Sequence, residues 1–234
     1  MKLIIALVFS VAALCNGAAL THDYLLQNSL ADSLGGPSLL SFGGNLSASG
    51  YAFTANHGLS VSGALANGAD YSIALDFNFT NLNSYRKVLD LHNRTSDSGL
   101  YTLDTRPIYY TGQTGLAGAV SSGVNATMVL TRSAGTQVVA AYVNGVQQFS
   151  GGDGLDPAIF NGPNNIIYFF MDDTVITGND PTGTVKRIRI FDGALSATEV
   201  SNLDSIATST PEPGTAWVVG ALCVTLGYRR RRPS

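Results

Sequence analysis

From residue 20 to about 207 the apolar residues come in short runs separated by Gly, Asn, Asp and Ser. In the clearest runs they alternate with polar ones. In "DYSIALDFNF" (70–79), Ile73, Leu75, Phe77 and Phe79 fall on one side of an extended chain, because successive side chains of a strand point to opposite faces. In "TVKRIRIF" (184–191), Val185 joins Ile188 and Ile190 on one side only after a one-residue shift. The stretches 50–63, 86–92, 99–110, 126–132, 137–149 and 165–171 also read as strands. A period of two with one apolar face predicts an all-β protein, with two antiparallel sheets packed as a sandwich.

Two local signals sharpen this picture. "YVNGVQ" sets Asn144-Gly145 between β-rich flanks, and Asn-Gly accepts the positive φ angles of a type I′ turn, so a tight hairpin is centred there. In "GALSATEVSNLDSIA", Ser196 and Glu199 have the S-x-x-E spacing of a capping box. One short helix therefore follows the last strand, with Val200, Leu203 and Ile206 on its apolar side.

The ends of the chain differ from its body. Lys2, the apolar run Leu3 to Leu14 and the small residues Gly17 to Ala19 have the layout of a secretory signal peptide over residues 1–19, folded as a helix before removal. Cys15 suggests a lipoprotein box, but Leu14 stands where a small residue is needed. If Cys15 leaves with the signal, Cys223 is the one cysteine left, and the domain's stability rests on its core. Residues 208–214 have the small, polar, Pro-containing composition of a linker. Residues 215–234 form an apolar segment ending in Arg229, Arg230, Arg231 and Arg232. The 14 residues Thr215 to Tyr228 reach about 21 Å as a helix, short of a hydrocarbon core of about 30 Å. The arginines would hold the C-terminus in the cytoplasm, leaving the sandwich outside.

Composition agrees with a turn-rich β chain: 45% of residues are hydrophobic, 12% are charged, and Gly occurs 26 times in 234 residues. Five of the 13 Lys and Arg residues are Lys2 and the four terminal arginines, so residues 20–214 carry eight bases against all 16 acids. Such a surface repels phosphate backbones and speaks against a nucleic-acid partner.

Two pairs of motifs carry resemblances. The ending "GTVKRIRIFDGALSATEVSNL" (183–203) and the hairpin "MVLTRSAGTQVVAAYVNGVQQF" (128–149) resemble the closing strand-plus-helix and the central hairpin of LamG-like, concanavalin A-like lectin/glucanase domains. The resemblance covers roughly residues 22–207 and implies a jelly-roll sandwich. In the tail, Pro211-Glu212-Pro213, the apolar stretch and the arginine cluster resemble a PEP-CTERM sorting signal. That likeness implies recognition by an exosortase, a membrane protease that processes exported proteins, after a transient stay in the membrane.

Catalytic signals are weak. Glucanases of the resembling fold set out E-x-D-x-x-E on a strand, and the two carboxylates flank the sugar bond. This chain has two glutamates, Glu199 in the helix cap and Glu212 in the sorting motif. His22, His57 and His92 lack metal-ligand spacing, and no nucleophile elbow, P-loop or dinucleotide fingerprint is present. The expectation is a protein that is not an enzyme. Its loop "FFMDDTVITGNDPTG" (169–183) offers Asp172, Asp173 and Asp180 as hard oxygen ligands, and LamG-type domains often bind Ca²⁺ at the sandwich rim. The same residues also serve turns and strand ends. Tyr109 and Tyr110, with Tyr101 and Tyr85, offer stacking faces for sugar rings, although adjacent strand residues face opposite ways and at most one of Tyr109 and Tyr110 enters the core. The four N-x-[ST] sequons at Asn45, Asn78, Asn93 and Asn125 arise easily by chance in so Asn- and Thr-rich a chain.

The expected function is that of an exported surface or extracellular-matrix protein whose sandwich binds a polysaccharide or protein ligand. A purely structural matrix component and a degenerate glycoside hydrolase with an Asp pair are the alternatives.

Overall fold

A computed structural model describes residues 17–110, 112–155 and 157–206. The sorting motif, the terminal arginines, the linker and nearly all of the signal segment lie outside the described residues. Fifteen strands follow in chain order: β1 Leu20–Tyr24, β2 Leu40–Ser41, β3 Asn45–Ser47, β4 Gly50–Phe53, β5 Leu59–Val61, β6 Tyr71–Phe79, β7 Tyr85–Asp90 and β8 Gly99–Leu103. They continue as β9 Arg106–Tyr110, β10 Gln113–Thr114, β11 Ala126–Ser133, β12 Val138–Val143, β13 Val146–Gly152, β14 Ile167–Phe169 and β15 Gly183–Phe191. All recorded pairings are antiparallel, in two sheets. Sheet A runs β13-β12-β11-β6-β15-β4-β3, with β1 also on β15, and sheet B runs β10-β9-β8-β7-β14-β5-β2. This is the two-sheet antiparallel jelly-roll sandwich expected from the alternation.

The core is built by the residues the alternation selected. Ile73, Leu75, Phe77 and Phe79 on β6 are fully buried, as are Val185, Ile188 and Ile190 on β15. The one-residue shift in β15 is a bulge: pairing with β6 slips between Val185 and Arg187, which returns Ile188 and Ile190 to the core face. Sheet B contributes Leu89, Leu100, Tyr109, Ile167 and Phe169 to the same cluster. Each such side chain contributes roughly 1.5–3 kcal/mol when fully buried. Asn144 (φ 50°) and Gly145 (φ 79°) close the β12–β13 hairpin with the left-handed backbone of a type I′ turn.

Two stretches that read as single strands are broken. Residues 50–63 form β4 in sheet A and β5 in sheet B, with the chain crossing between the layers at Thr54–Gly58. Asn56 takes a left-handed φ of 58° there, and the buried Tyr51 hydroxyl donates to the carbonyls of His57 and Gly58 at 2.9 and 3.0 Å. Residues 99–110 form the hairpin β8–β9, turned at Asp104 (φ 52°).

After β15 comes helix α1, Ala197–Ser201, with the capping box formed: Ser196 Oγ accepts from the Glu199 amide, and Glu199 Oε2 accepts from the Ser196 amide at 2.7 Å. Val200 is buried as expected. Leu203–Ile206 forms a further short helix, α2, assigned to a second unit of the chain. The Ile206 side chain lies outside the described residues.

Candidate functional site

The site grows from a bulge in β7. Residues an odd number apart on a strand normally face opposite ways, yet Lys87 and Asp90 face the same way because the register on β8 slips between Lys87 and Leu89. Val88 and Leu89 enter the core while Lys87 and Asp90 stand on the other face of sheet B. Gly99 on β8 leaves room for this: a Cβ there would sit 3.1 Å from Lys87 Cε and 2.4 Å from the Leu89 carbonyl oxygen, at a φ of +155°. The loop between β14 and β15 then covers the strand, since the Phe170 amide donates to the Val88 carbonyl and the Lys87 amide to the Asn179 carbonyl.

Under that cover the charges are fully buried. Lys87 Nζ lies 3.0 Å from Asp90 Oδ2 and 3.1 Å from Asp173 Oδ2, with no side-chain exposure at any of the three. Its charge also lies 4.9 Å from the centre of the Tyr101 ring. Asp173 Oδ1 accepts from the amides of Val175 and Ile176 at 2.8 and 2.7 Å. Burial opposes the Asp173 charge, but those amides and Lys87 outweigh it and hold the carboxyl below its usual range. Asp172 is pushed the other way. Burial raises it, the Asn179 amide partly offsets this, and Asp173 and Asp180 add like-charge repulsion. Asp172 Oδ1 and Asp180 Oδ1 are buried with no hydrogen-bond partner among the described residues. Arg94 ties the rim together, donating from Nε to the Asp172 carbonyl and from a terminal nitrogen to Asn56 Oδ1, both at 2.6 Å.

The two groups of residues singled out in the sequence meet here. Tyr101 Oη donates to Asp97 Oδ1 at 2.7 Å, and Asp97 is raised by its own burial and by Asp173 nearby. Around Tyr101 stand the half-buried rings of Tyr85 and Tyr110, with centres 6.0 and 6.2 Å from it and 6.3 Å from each other, all edge to face. Tyr110 therefore lies on an aromatic patch continuous with the carboxylate loop. Tyr109 does not: it points the opposite way, 3% exposed and within the core cluster. Lys87 and Asp97 went unnoticed in the sequence. Their signal is a lysine inside a strand and an Asp in a polar loop, and neither is informative without the pairing.

For a cation, Asp173 already places Oδ1 on two amides and Oδ2 on Lys87. Asp172 Oδ1 and Asp180 Oδ1 are the carboxylate oxygens left open. Among the described residues no cluster of three or more His, Cys, Asp or Glu has the geometry of a metal site. Each histidine makes a local contact: His22 Nδ1 with Asp32 Oδ2, His57 Nδ1 with Thr54 Oγ1, and His92 Nε2 with the Pro157 carbonyl.

The chain is thus a two-sheet sandwich with an aromatic and acidic patch on one sheet. No family model and no curated protein sequence matches the chain. Solved structures share its fold. Domain 4 of AbnA, a GH43 extracellular arabinanase from Geobacillus stearothermophilus solved in complex with arabinotriose, aligns with a TM-score of 0.58 at 21% identity, over 80% of this chain and 99% of that domain. Trypanosoma rangeli sialidase in complex with 2,3-difluorosialic acid aligns with a TM-score of 0.61 at 15% identity, over 82% of this chain but 34% of the sialidase. The binding domain of botulinum neurotoxin serotype D aligns with a TM-score of 0.56 at 12% identity, over 80% of this chain and 51% of that one. The chain therefore spans about a third of the sialidase and half of the toxin domain it matches.

Proposed function

We propose that this chain is an exported, non-catalytic surface or extracellular-matrix protein whose LamG-like sandwich binds carbohydrate, with a PEP-CTERM tail that holds it in the membrane until an exosortase processes it. The observation that carries the binding reading is the Tyr85–Tyr101–Tyr110 patch. Two half-buried rings stand on a third that is fixed to Asp97, giving apolar faces for pyranose or furanose rings beside carboxylates that accept from sugar hydroxyls. Support comes from the likeness to a domain solved with arabinotriose and to a toxin's binding domain. Depletion assays on insoluble and soluble polysaccharides test it. Tyr110→Ala and Tyr85→Ala should each weaken retention roughly five- to tenfold, in line with about 1–1.5 kcal/mol for an aromatic contact. Equal retention of both variants and the parent, or no retention of the parent on any polysaccharide, refutes it and leaves a protein ligand or a structural role.

A second reading, a glycoside hydrolase with an Asp pair, draws on one observation: Asp172 and Asp97 are raised while Asp173 is lowered, and groups pushed apart in this way can divide acid and base roles. Against it, Asp172 and Asp173 are 0% and 1% exposed. Reducing-sugar release by the parent but not by Asp172→Asn would establish it. Calcium at Asp172, Asp173 and Asp180 remains a proposal in its own right, supported by the open Asp172 Oδ1 and opposed by Lys87, with which the ion would compete for Asp173.

A further inference from the structure

On the other face of sheet B, the tyrosine that enters the core borders a cavity. Tyr109 ends β9, the chain turns back with the Gly112 amide donating to the Tyr109 carbonyl at 2.8 Å, and Gln113 opens β10. Here the edge strands of the two sheets approach each other: a Cβ at Gly151 on β13 would come within 2.5 Å of Gln113 Nε2. The cavity at this seam measures about 320 Å³ and is lined by Tyr109, Gln113, Gly152, Asp153, Gly154 and Leu155 among others. That is the lower end of the size of ligand pockets, with room for one ring and not for an oligomer.

Three features mark it as built for a ligand. The Tyr109 hydroxyl and Gln113 Oε1 are both buried without a hydrogen-bond partner among the described residues. Buried polar atoms normally find a partner, so a phenol that can donate and an amide oxygen that can accept are left over on two residues that line one pocket. Burial also raises the Tyr109 phenol, which stays a neutral donor at ordinary pH. Second, the one charged side chain among the described lining residues is already paired. Asp153, which would otherwise attract cations, receives Arg132 Nε at 2.6 Å and the Ala158 amide at 3.1 Å. Third, Leu155 at the rim is 95% exposed, an apolar side chain that no described residue covers. Donor, acceptor, a carboxylate already paired and one apolar wall together match a small neutral ring with hydroxyls on its edge and C–H bonds on its face.

We propose that this seam pocket is a second binding site, for a single neutral aldose unit, separate from the tyrosine patch on the opposite face of the sheet. Tyr109 Oη donates to one ring hydroxyl, Gln113 Oε1 accepts from another, and Leu155 covers the apolar face.

The test uses the purified full-length chain and five free aldoses, L-arabinose, D-xylose, D-galactose, D-glucose and D-mannose, with D-glucuronate as a charged control. Binding is read by saturation-transfer NMR and by the shift of the Gln113 side-chain amide. At least one neutral aldose should bind and move that amide, and glucuronate should bind more weakly than D-glucose. Tyr109→Phe should weaken binding roughly three- to tenfold, the value of one hydrogen bond, with no fall in Tm because the hydroxyl has no partner among the described residues. Leu155→Ser, on an exposed side chain, provides a variant that folds as the parent does and should also bind less. Absence of binding by all five aldoses overturns the proposal. So does binding that Tyr109→Phe and Leu155→Ser both leave unchanged. Tyr110→Ala should leave aldose binding intact, so loss of polysaccharide retention and loss of aldose binding report on different sites.

Discussion

Replacing Lys87 with Met tests whether the buried charge cluster is organised around one ammonium. Met has a similar length and no charge, so the stem is kept while Asp90 and Asp173 lose their shared cation at 3.0 and 3.1 Å. Both carboxylates have no side-chain exposure, so water cannot replace it. Removing one partner from a buried pair costs about 3–5 kcal/mol, against a total stability of about 5–15 kcal/mol for a domain. For a domain of this size that corresponds to a Tm lower by roughly 6–20 °C. The pH dependence gives the second signature. In the parent, the Asp173 pKa is depressed, so its contribution is present above the unfolded value of 3.8 and is lost as pH falls through the folded value. In Lys87→Met the Asp173 carboxylate loses that cation while its burial stays, so its cost is relieved as it protonates. The difference between variant and parent should be largest near pH 7.5 and shrink towards pH 4. Urea melts at both pH values measure it. A variant as stable as the parent at pH 7.5, or a gap that widens in acid, would refute the reasoning.

Four further outcomes follow from the same structure. Asp172→Asn, measured in EDTA, should raise Tm at pH 7.5, because a carboxyl raised by burial costs stability while charged; the gain should fade as pH drops through the carboxylate range. If calcium binds at Asp172, Asp173 and Asp180, millimolar CaCl₂ should raise the parent's Tm and not that of Asp172→Asn, and calorimetry without heat in the parent removes the ion from the picture. Gly145→Ala should cost about 1 kcal/mol or more in a denaturant melt, since φ is 79° there. Ser196→Ala should cost about 1 kcal/mol through loss of the capping box, seen as a small drop in the urea midpoint with the slope unchanged.

Much of the architecture was legible in the sequence because it is written at short range. The alternation of Ile73 to Phe79, the Asn144-Gly145 turn, the Ser196/Glu199 cap and the shift within β15 all involve residues a few positions apart, and each appears where it was expected. The crossing at Thr54–Gly58 was not, because β4 and β5 keep the same apolar character in either layer and only their partners, β15 and β14, assign them to different sheets. The candidate site was half legible. Asp172, Asp173 and Tyr110 were chosen for their chemistry, but Lys87 and Asp173 are 86 positions apart, and no local pattern announces their pairing. Nor could spacing say which of Tyr109 and Tyr110 turns inward. The register of β9 on β8, which pairs Tyr109 with the core residue Leu100, decides it.

Strand β15 has a consequence for how this protein comes into being. It lies near the middle of sheet A, bonded to β6 on one side and to β4 and β1 on the other, although it is the last strand among the described residues. Because the chain is made from its N-terminus, sheet A stays in three separate pieces, β13-β12-β11-β6, β4-β3 and β1, until residue 191 has been synthesised. Closure by such distant segments is slow compared with folding from local contacts. A chain cut short ahead of β15 would lose the element that joins these pieces and expose the edges of β6, β4 and β1 that it covers, a form suited to degradation or aggregation and unable to pass for the finished molecule.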